Sequence, residues 1–85
     1  MAYKVIIKQP ALRVLQGLSK DLRTRILHRI DALAVEPRPF GCTKLSGALH
    51  AYRIRIGNYR VVDDVLDKAV VVIVLRVAHR KDIYR

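Results

Sequence analysis

The chain has little from which a disulfide-based or metal-based framework could be built. Cys42 is its single cysteine among 85 residues, which excludes an internal disulfide and a zinc site with several cysteines. The longest apolar run covers residues 69–75 and is far too short to cross a bilayer. The apolar stretch 5–7 is too short for the core of a secretory signal. We therefore expect a cytoplasmic protein that does not enter a membrane.

Acidic residues are also scarce. The chain has seven Asp and Glu against 17 Lys and Arg, a formal net charge of +10. Such an excess indicates a polyanionic partner, either nucleic acid or an acidic protein. A membrane surface is the third possibility and ranks below these two, because it usually requires a basic amphipathic segment with an exposed apolar face.

The sequence also lacks a recognisable cofactor site. Its three histidines, His28, His50 and His79, do not have metal-ligand spacing, and no glycine-rich phosphate loop is present. Asp63 and Asp64 would point to opposite faces of a strand and could not easily share an ion. We therefore expect no cofactor and no metal, and we expect His79 to make a structural hydrogen bond.

The length and the 52% hydrophobic content predict a single folded domain, residues 1–85. The fold class expected is α+β, with a helical hairpin packed on one face of a mostly antiparallel four-stranded sheet. Pro10 suits the start of the first helix, and Ser19 can cap the second. Residues 40–47 are expected to form a loop. The predicted strands are residues 2–8, 50–56, 59–65 and 69–78, which gives the order β-α-α-β-β-β.

Arginines alternate with apolar residues just before a predicted turn. Because side chains on a strand point to opposite faces with period two, Arg53 and Arg55 share one face. The pair Gly57-Asn58 predicts a two-residue hairpin turn, which places Arg60 opposite Arg55. Like charges directly opposite each other repel, and an anion that neutralises them is the simplest reason for the arrangement. The alternative is an ordinary solvated sheet face.

Four segments carry a resemblance to a known family. Two are specific in residue type and spacing: YRIRIGNYR at residues 52–60 and RVAHRKDIY at residues 76–84. The end of the helical hairpin, residues 32–39, and the loop at residues 43–47 agree as well. The chain resembles the RelE-type toxins of the RelE/ParE superfamily, which are small ribosome-dependent mRNA interferases of bacterial type II toxin–antitoxin pairs.

The resemblance implies an endoribonuclease that cuts mRNA in the ribosomal A site, with the RNA 2′-hydroxyl as nucleophile. It also implies a cognate antitoxin, expected to be acidic, and the 30S subunit and mRNA as further partners. The family's catalytic basic residues correspond to Arg53, Arg55, Arg60 and Arg80, and its catalytic tyrosine corresponds to Tyr84. Of these we expect Arg60, Arg80 and Tyr84 to be catalytic, and we expect Arg53 and Arg55, with the matching loop lysine Lys44, to bind RNA or phosphate.

The resemblance also suggests a role for each catalytic residue. Tyr84 would be the base, Arg80 the acid or a phosphate clamp, and Arg60 the transition-state clamp. Some relatives have lysine at positions 53 and 55. Because an arginine effectively cannot lose its proton, Arg53 and Arg55 are expected to position phosphates. The basic side of the second helix, residues 23–29, is expected to be solubilising, with contact to ribosomal RNA as the alternative.

One position departs from the family. Many relatives have tyrosine where this chain has Asp63, and the hairpin register places Asp63 on the core face. A lone buried carboxylate there would be costly. Either Arg76 pairs with it, a bulge turns it outward, or it lies near the end of the sheet.

Two other functions remain open from the sequence. One is a ParE-like inhibitor of DNA gyrase without nuclease activity, and the other is a module that binds RNA without cutting it. The family's gyrase inhibitors generally lack the full set of basic residues and tyrosine found here.

Overall fold

A five-stranded sheet with two helices on one face makes up most of the described chain. The structure is a computed structural model that describes residues 2–83, with the backbone alone for residues 82 and 83. The strands are β1 (Lys4–Ile7), β2 (Thr43–Lys44), β3 (Ala51–Ile56), β4 (Tyr59–Leu66) and β5 (Val71–His79). The helices are α1 (Gln9–Gln16), α2 (Lys20–Asp31), a 3₁₀ turn (Ala32–Ala34) and the short α3 (Arg80–Ile83).

The strand order in the sheet is β1-β5-β4-β3-β2. Only β1 and β5 run parallel, and the other described neighbours are antiparallel. The predicted class and mostly antiparallel sheet are therefore confirmed, with one strand more than expected. The extra strand is β2, whose two residues pair with Arg53 and Tyr52 of β3. It lies in the segment predicted as loop, because two residues are too few to show a period-two pattern.

The two main helices form where the sequence predicts them. The Ser19 hydroxyl accepts a hydrogen bond from the Leu22 N–H at 3.4 Å and caps α2. Ile26 and Ile30 of α2, with Leu33 just after it, are buried against the sheet. Leu15 of α1 joins the same core. No helix in the described part of the chain is long and apolar enough to pass through a membrane.

The hairpin between β3 and β4 has the predicted register. Ile56 pairs with Tyr59 and Arg55 pairs with Arg60. Gly57 has φ +59°, which suits the first position of a type II′ turn, where residues with a side chain are strained. This hairpin fixes which side chains of β3 and β4 share a face.

A register shift between Val62 and Asp63 does not turn Asp63 outward. Val62 pairs with Arg76 and Asp63 pairs with Val74, so the extra residue is Leu75 on β5. Side chains on β4 therefore alternate without interruption, and Asp63 stays on the core face with 1% of its surface exposed. Arg76 faces the other side of the sheet, and Asp63 lies inside β4, where it is paired with a residue of each neighbouring strand. All three expected resolutions for this carboxylate are therefore wrong.

The turn between β4 and β5 contains a strained residue. Val70 has φ +56°, a left-handed conformation that costs an L-residue about 1–2 kcal/mol and is least suited to a branched side chain. Two backbone hydrogen bonds hold it there: its N–H donates to the Asp67 carbonyl at 3.1 Å, and its carbonyl accepts from the Lys4 N–H at 2.9 Å.

Replacing Val70 with asparagine, which tolerates this conformation, should therefore stabilise the protein. We expect the free energy of unfolding to rise by about 1 kcal/mol in urea titrations. Val71→Asn is the matched control: it makes the same chemical change one residue later, in the extended β5, and should lower stability. A loss of stability in Val70→Asn equal to that of the control would contradict the assignment of strain.

Candidate active site

Four arginines share the sheet face that the helices leave open. In the β3–β4–β5 register, Arg53 lies across Val62 from Arg76, and Arg55 lies opposite Arg60. The packed apolar side chains of these strands point to the other face, toward α1 and α2. We call the surface formed by Arg53, Arg55, Arg60 and Arg76 the arginine face.

Arg60 differs from its neighbours because it is buried. It has 3% of its surface exposed, whereas Arg55 is exposed. Its burial occurs on the open face of the sheet, where α3 contacts both β4 and β5. A guanidinium shielded from water exerts a stronger field on a nearby anion than one in solvent, so Arg60 is the strongest candidate for stabilising negative charge.

Arg80 is brought to the same end of the sheet by its own backbone. Its N–H donates to the Asn58 carbonyl at 2.7 Å, which links the start of α3 to the β3–β4 turn. Arg80 follows the pair Tyr59–His79, which itself lies next to the pair Arg60–Ala78. The backbone positions of Arg55, Arg60 and Arg80 are therefore neighbours at this end of the sheet. Arg55 and Arg60 are directly opposite each other, a position at which Cβ atoms lie about 4.5–5.5 Å apart.

His79 organises the start of α3. Its Nδ1 accepts the Lys81 N–H at 3.3 Å, and its ring meets the Tyr59 ring edge to face at 5.3 Å between centroids. The expected structural hydrogen bond is thereby confirmed. Because Nδ1 must be unprotonated to accept, the proton of the neutral ring is assigned to Nε2.

Substitution of His79 should separate the two contacts. His79→Phe keeps an aromatic ring against Tyr59 and removes the acceptor, whereas His79→Asn supplies an acceptor favoured at helix starts. Because one hydrogen bond contributes about 1 kcal/mol, we expect the Lys81 amide to exchange with solvent about fivefold faster in His79→Phe. Amide exchange by NMR would measure it. Equal Lys81 exchange rates in His79→Phe and the wild type would refute the capping role.

Lys44 is not brought together with Arg53 and Arg55. It pairs with Tyr52 and lies on that residue's side of the sheet, with Nζ 5.3 Å from the ring centroid. The ammonium donates to the Leu49 carbonyl at 2.8 Å and the Ala48 carbonyl at 3.2 Å. In this structure Lys44 therefore holds the loop after β2 instead of joining the arginine face.

Tyr84 lies outside the described residues, so its assignment as base stays a prediction. Within residues 2–83, no group of three or more His, Cys, Asp or Glu side chains is placed to hold a metal ion. What the described residues assemble is a positively charged surface, which favours a negatively charged ligand.

The sequence did not reveal a polar cluster at the other end of β3 and β4. Arg38 binds the Asp67 carboxylate through both Nη atoms, at 3.2 and 2.7 Å, and donates from Nε to the Tyr52 hydroxyl at 3.0 Å. The Tyr3 hydroxyl donates to the same carboxylate at 2.8 Å. Arg38 and then Tyr3 lower the pKa of Asp67. No local sequence pattern could have indicated this polar cluster, because its four residues are far apart in sequence.

Asp63 is a buried acid without a hydrogen-bond partner among the described residues. Neither carboxylate oxygen is bonded. Burial raises its pKa to about 7 and the negative charge of Asp64 adds to this shift, whereas the residue's own backbone N–H and then the positive charge of Arg38 oppose it. At neutral pH the carboxyl is therefore divided between its neutral and ionised forms.

Comparison with known proteins assigns the chain to a family. Residues 5–84 match the family model described as the ParE toxin of the type II toxin–antitoxin system parDE. The chain is also 28% identical over 88 residues to "Putative toxin RelE1" of Methanocaldococcus jannaschii, a match that covers 100% of this chain and 98% of the relative.

Solved structures with the same fold include RelE toxins from archaea and bacteria. RelE in the RelE–RelB complex of Pyrococcus horikoshii is 36% identical, with a TM-score of 0.83 over 94% of this chain and 97% of that one. The match in the RelBE2 complex of Mycobacterium tuberculosis is 26% identical, with a TM-score of 0.82 over 94% of this chain and 93% of that one. Isolated Escherichia coli RelE is 29% identical, with a TM-score of 0.79 over 92% of this chain and 84% of that one. The chain therefore belongs to the RelE/ParE superfamily of type II toxin–antitoxin systems, as a RelE-like toxin.

Proposed function

We propose that this toxin is a ribosome-dependent endoribonuclease that cleaves mRNA in the ribosomal A site. The observation that supports this best is the placement of Arg55, Arg60 and Arg80 on neighbouring positions at one end of the open sheet face. Positively charged residues at neighbouring positions repel one another, and a phosphodiester in the transition state relieves that repulsion because it carries an additional negative charge.

The reaction proposed is attack of the RNA 2′-oxygen on the adjacent phosphorus. The new 2′-O–P bond forms while the P–O5′ bond breaks, which leaves a 2′,3′-cyclic phosphate and a 5′-hydroxyl. A base must take the proton of the 2′-hydroxyl, and an acid must give one to the leaving oxygen. Arg60 and Arg80 are clamps for the phosphoryl oxygens, because arginine remains protonated throughout. Tyr84 is the proposed base, and solvent water, which reaches the open sheet face, gives the proton to the leaving 5′-oxygen.

The dependence on the ribosome follows from what this surface lacks. The arginine face is one side of an open sheet, and it offers charge stabilisation but little to orient an RNA strand. Correct positioning of reacting groups is worth about 7–11 kcal/mol, and the A site would supply it by holding the message. We therefore expect the isolated toxin to cleave free RNA weakly.

Control by an acidic antitoxin is the second part of the proposal. The RelE relatives from P. horikoshii and M. tuberculosis were solved as complexes with antitoxin. The net charge of +10 favours an acidic partner. Three large apolar side chains are also strongly exposed around the loop before β3: Val35, Phe40 and Leu49. A protein partner that covered these side chains would remove their apolar surface from water, which favours association.

Mapping of message ends tests the function. The toxin is expressed with and without the adjacent reading frame, and the 5′ ends of a translated message are located by primer extension. Cuts within codons that require ribosomes are the expected result, and co-expression of the antitoxin should abolish them. DNA breaks linked to gyrase would instead indicate a ParE-like gyrase inhibitor, and protection without cuts would indicate an RNA-binding module.

A further inference from the structure

One arginine of α2 lies against the tip of the β3–β4 hairpin. The Nη atoms of Arg25 are 3.8 and 3.9 Å from the position that a Cβ on Gly57 would occupy. The guanidinium therefore rests over the glycine backbone of the turn. In the same turn, the carbonyl of Asn58 accepts the backbone N–H of Arg80. Two arginines from different elements thus contact one hairpin tip, Arg25 through its side chain and Arg80 through its backbone.

The charge of Arg25 is not paired with any group in the described part of the chain. The only salt bridge between described residues joins Arg38 and Asp67, and the guanidinium of Arg25 forms no hydrogen bond within residues 2–83. Asp21, one helical turn earlier, does not pair with it. Arg23, two residues away, is different because its guanidinium donates to the carbonyls of Gln16 and Leu18, both at 3.4 Å. The basic side of α2 is therefore not uniform.

We propose that Arg25 binds the phosphodiester backbone of RNA, so that the anion-binding surface continues from the arginine face over the hairpin tip onto α2. This inference rests on the proposed function for the presence of RNA at the arginine face. A guanidinium already resting on the turn loses little freedom when it binds, and its planar fork matches a phosphate. The phosphate belongs either to the message or to ribosomal RNA.

Lys68 provides a matched control for the loss of one positive charge. It is exposed in the turn after β4, at the opposite end of that strand from Gly57. Both variants, Arg25→Ala and Lys68→Ala, remove one cation from the surface and have the same net charge. Arg25→Lys keeps the charge and removes the planar fork.

Two binding measurements separate the sources of phosphate. The first uses a labelled 20-nucleotide single strand with 2′-O-methyl groups, which cannot be cleaved through its 2′-oxygen. The second uses purified ribosomes without message. In at least one of these measurements Arg25→Ala should bind about fivefold more weakly at about 0.1 M salt. If the weaker binding is to the single strand, the slope of log Kd against log salt concentration should also decrease by about 0.7, because one phosphate contact is lost. Arg25→Lys should be intermediate, and Lys68→Ala should equal the wild type.

The inference is overturned if Arg25→Ala matches Lys68→Ala in both measurements. Its failure can be told apart from failure of the proposed function by including Arg55→Ala. If Arg55→Ala weakens binding and Arg25→Ala does not, the arginine face stands and its extension to α2 is wrong. If neither variant weakens binding to RNA or ribosomes, both the inference and the proposed RNA surface fail.

Discussion

Asp63→Asn should make the protein more stable at neutral and alkaline pH and leave its stability nearly unchanged at pH 4. The reason is that Asp63 is buried without a hydrogen-bond partner among the described residues. Its pKa rises from 3.8 to about 7 in the folded protein. Since one pKa unit corresponds to about 1.4 kcal/mol, the gain in unfolding free energy above pH 7 is up to about 4 kcal/mol.

The direction of the pH dependence follows from linkage. A group whose pKa is higher in the folded state binds more protons when folded, so its contribution to stability decreases as the pH rises. The contribution of Asp63 is complete below pH 3.8, declines through the acid range and is lost above about pH 7. Urea titrations of the wild type and Asp63→Asn across this range should give curves that diverge as the pH rises and become parallel above pH 7.

Asp67→Asn is a control in which the contribution of the replaced carboxyl to stability changes with pH in the opposite direction. Arg38 and Tyr3 hold the pKa of Asp67 below its usual value, so its contribution is present above that value and is lost as the pH falls. Asp67 is also 56% exposed, and the effect of an exposed ion pair is small. A stability difference between Asp63→Asn and the wild type that stays constant with pH would show that this carboxyl does not titrate as its surroundings imply.

Local sequence patterns predicted the hairpin and the helices because short-range chemistry decides both. Gly57-Asn58 fixes the turn, and the period-two alternation then determines which arginines lie opposite each other. Ser19 and the apolar stripe of α2 determine the second helix in the same way. The sequence alone therefore predicts that Arg55 lies opposite Arg60, and the register of β3 and β4 confirms this pairing.

The features that the sequence missed depend on distant contacts or on very few residues. Strand β2 has two residues, and α3 has four, so neither shows a periodic pattern. The side of the sheet on which Lys44 lies depends on its pairing with Tyr52, not on its neighbours in sequence. Arg25 reaches the hairpin tip only because α2 packs across the sheet. Site residues on strands were thus more predictable than those whose position depends on how elements pack.

Arg80→Ala should lower ribosome-dependent cleavage by a factor of about 10²–10³, the usual cost of removing one preorganised donor from a transition state. Arg80 is the cleanest residue for this test because its side chain is exposed, so its loss should leave the fold intact. The bond that positions it is also retained, because Asn58 accepts from the backbone N–H of residue 80, which alanine still has.

Arg13→Ala is the matched control, since it removes an exposed arginine from α1, on the helix side of the sheet. Single-turnover cleavage of message on ribosomes should be unchanged in this variant. In Arg80→Ala the rate at saturating ribosomes should fall more than the apparent affinity, because a transition-state clamp affects kcat more than binding. An Arg80→Ala rate equal to that of Arg13→Ala would remove Arg80 from the reaction.

Combining Arg80→Ala with Arg55→Ala tests whether the two side chains act on one phosphate. Residues that hold the same group have non-additive effects, whereas independent residues have additive ones. Because Arg55 and Arg80 lie on neighbouring positions of the hairpin end, we expect the double variant to lose less activity than the product of the single losses. Arg60 is a poorer choice for this cycle, since its burial on the same face makes any truncation a change in packing as well as in charge.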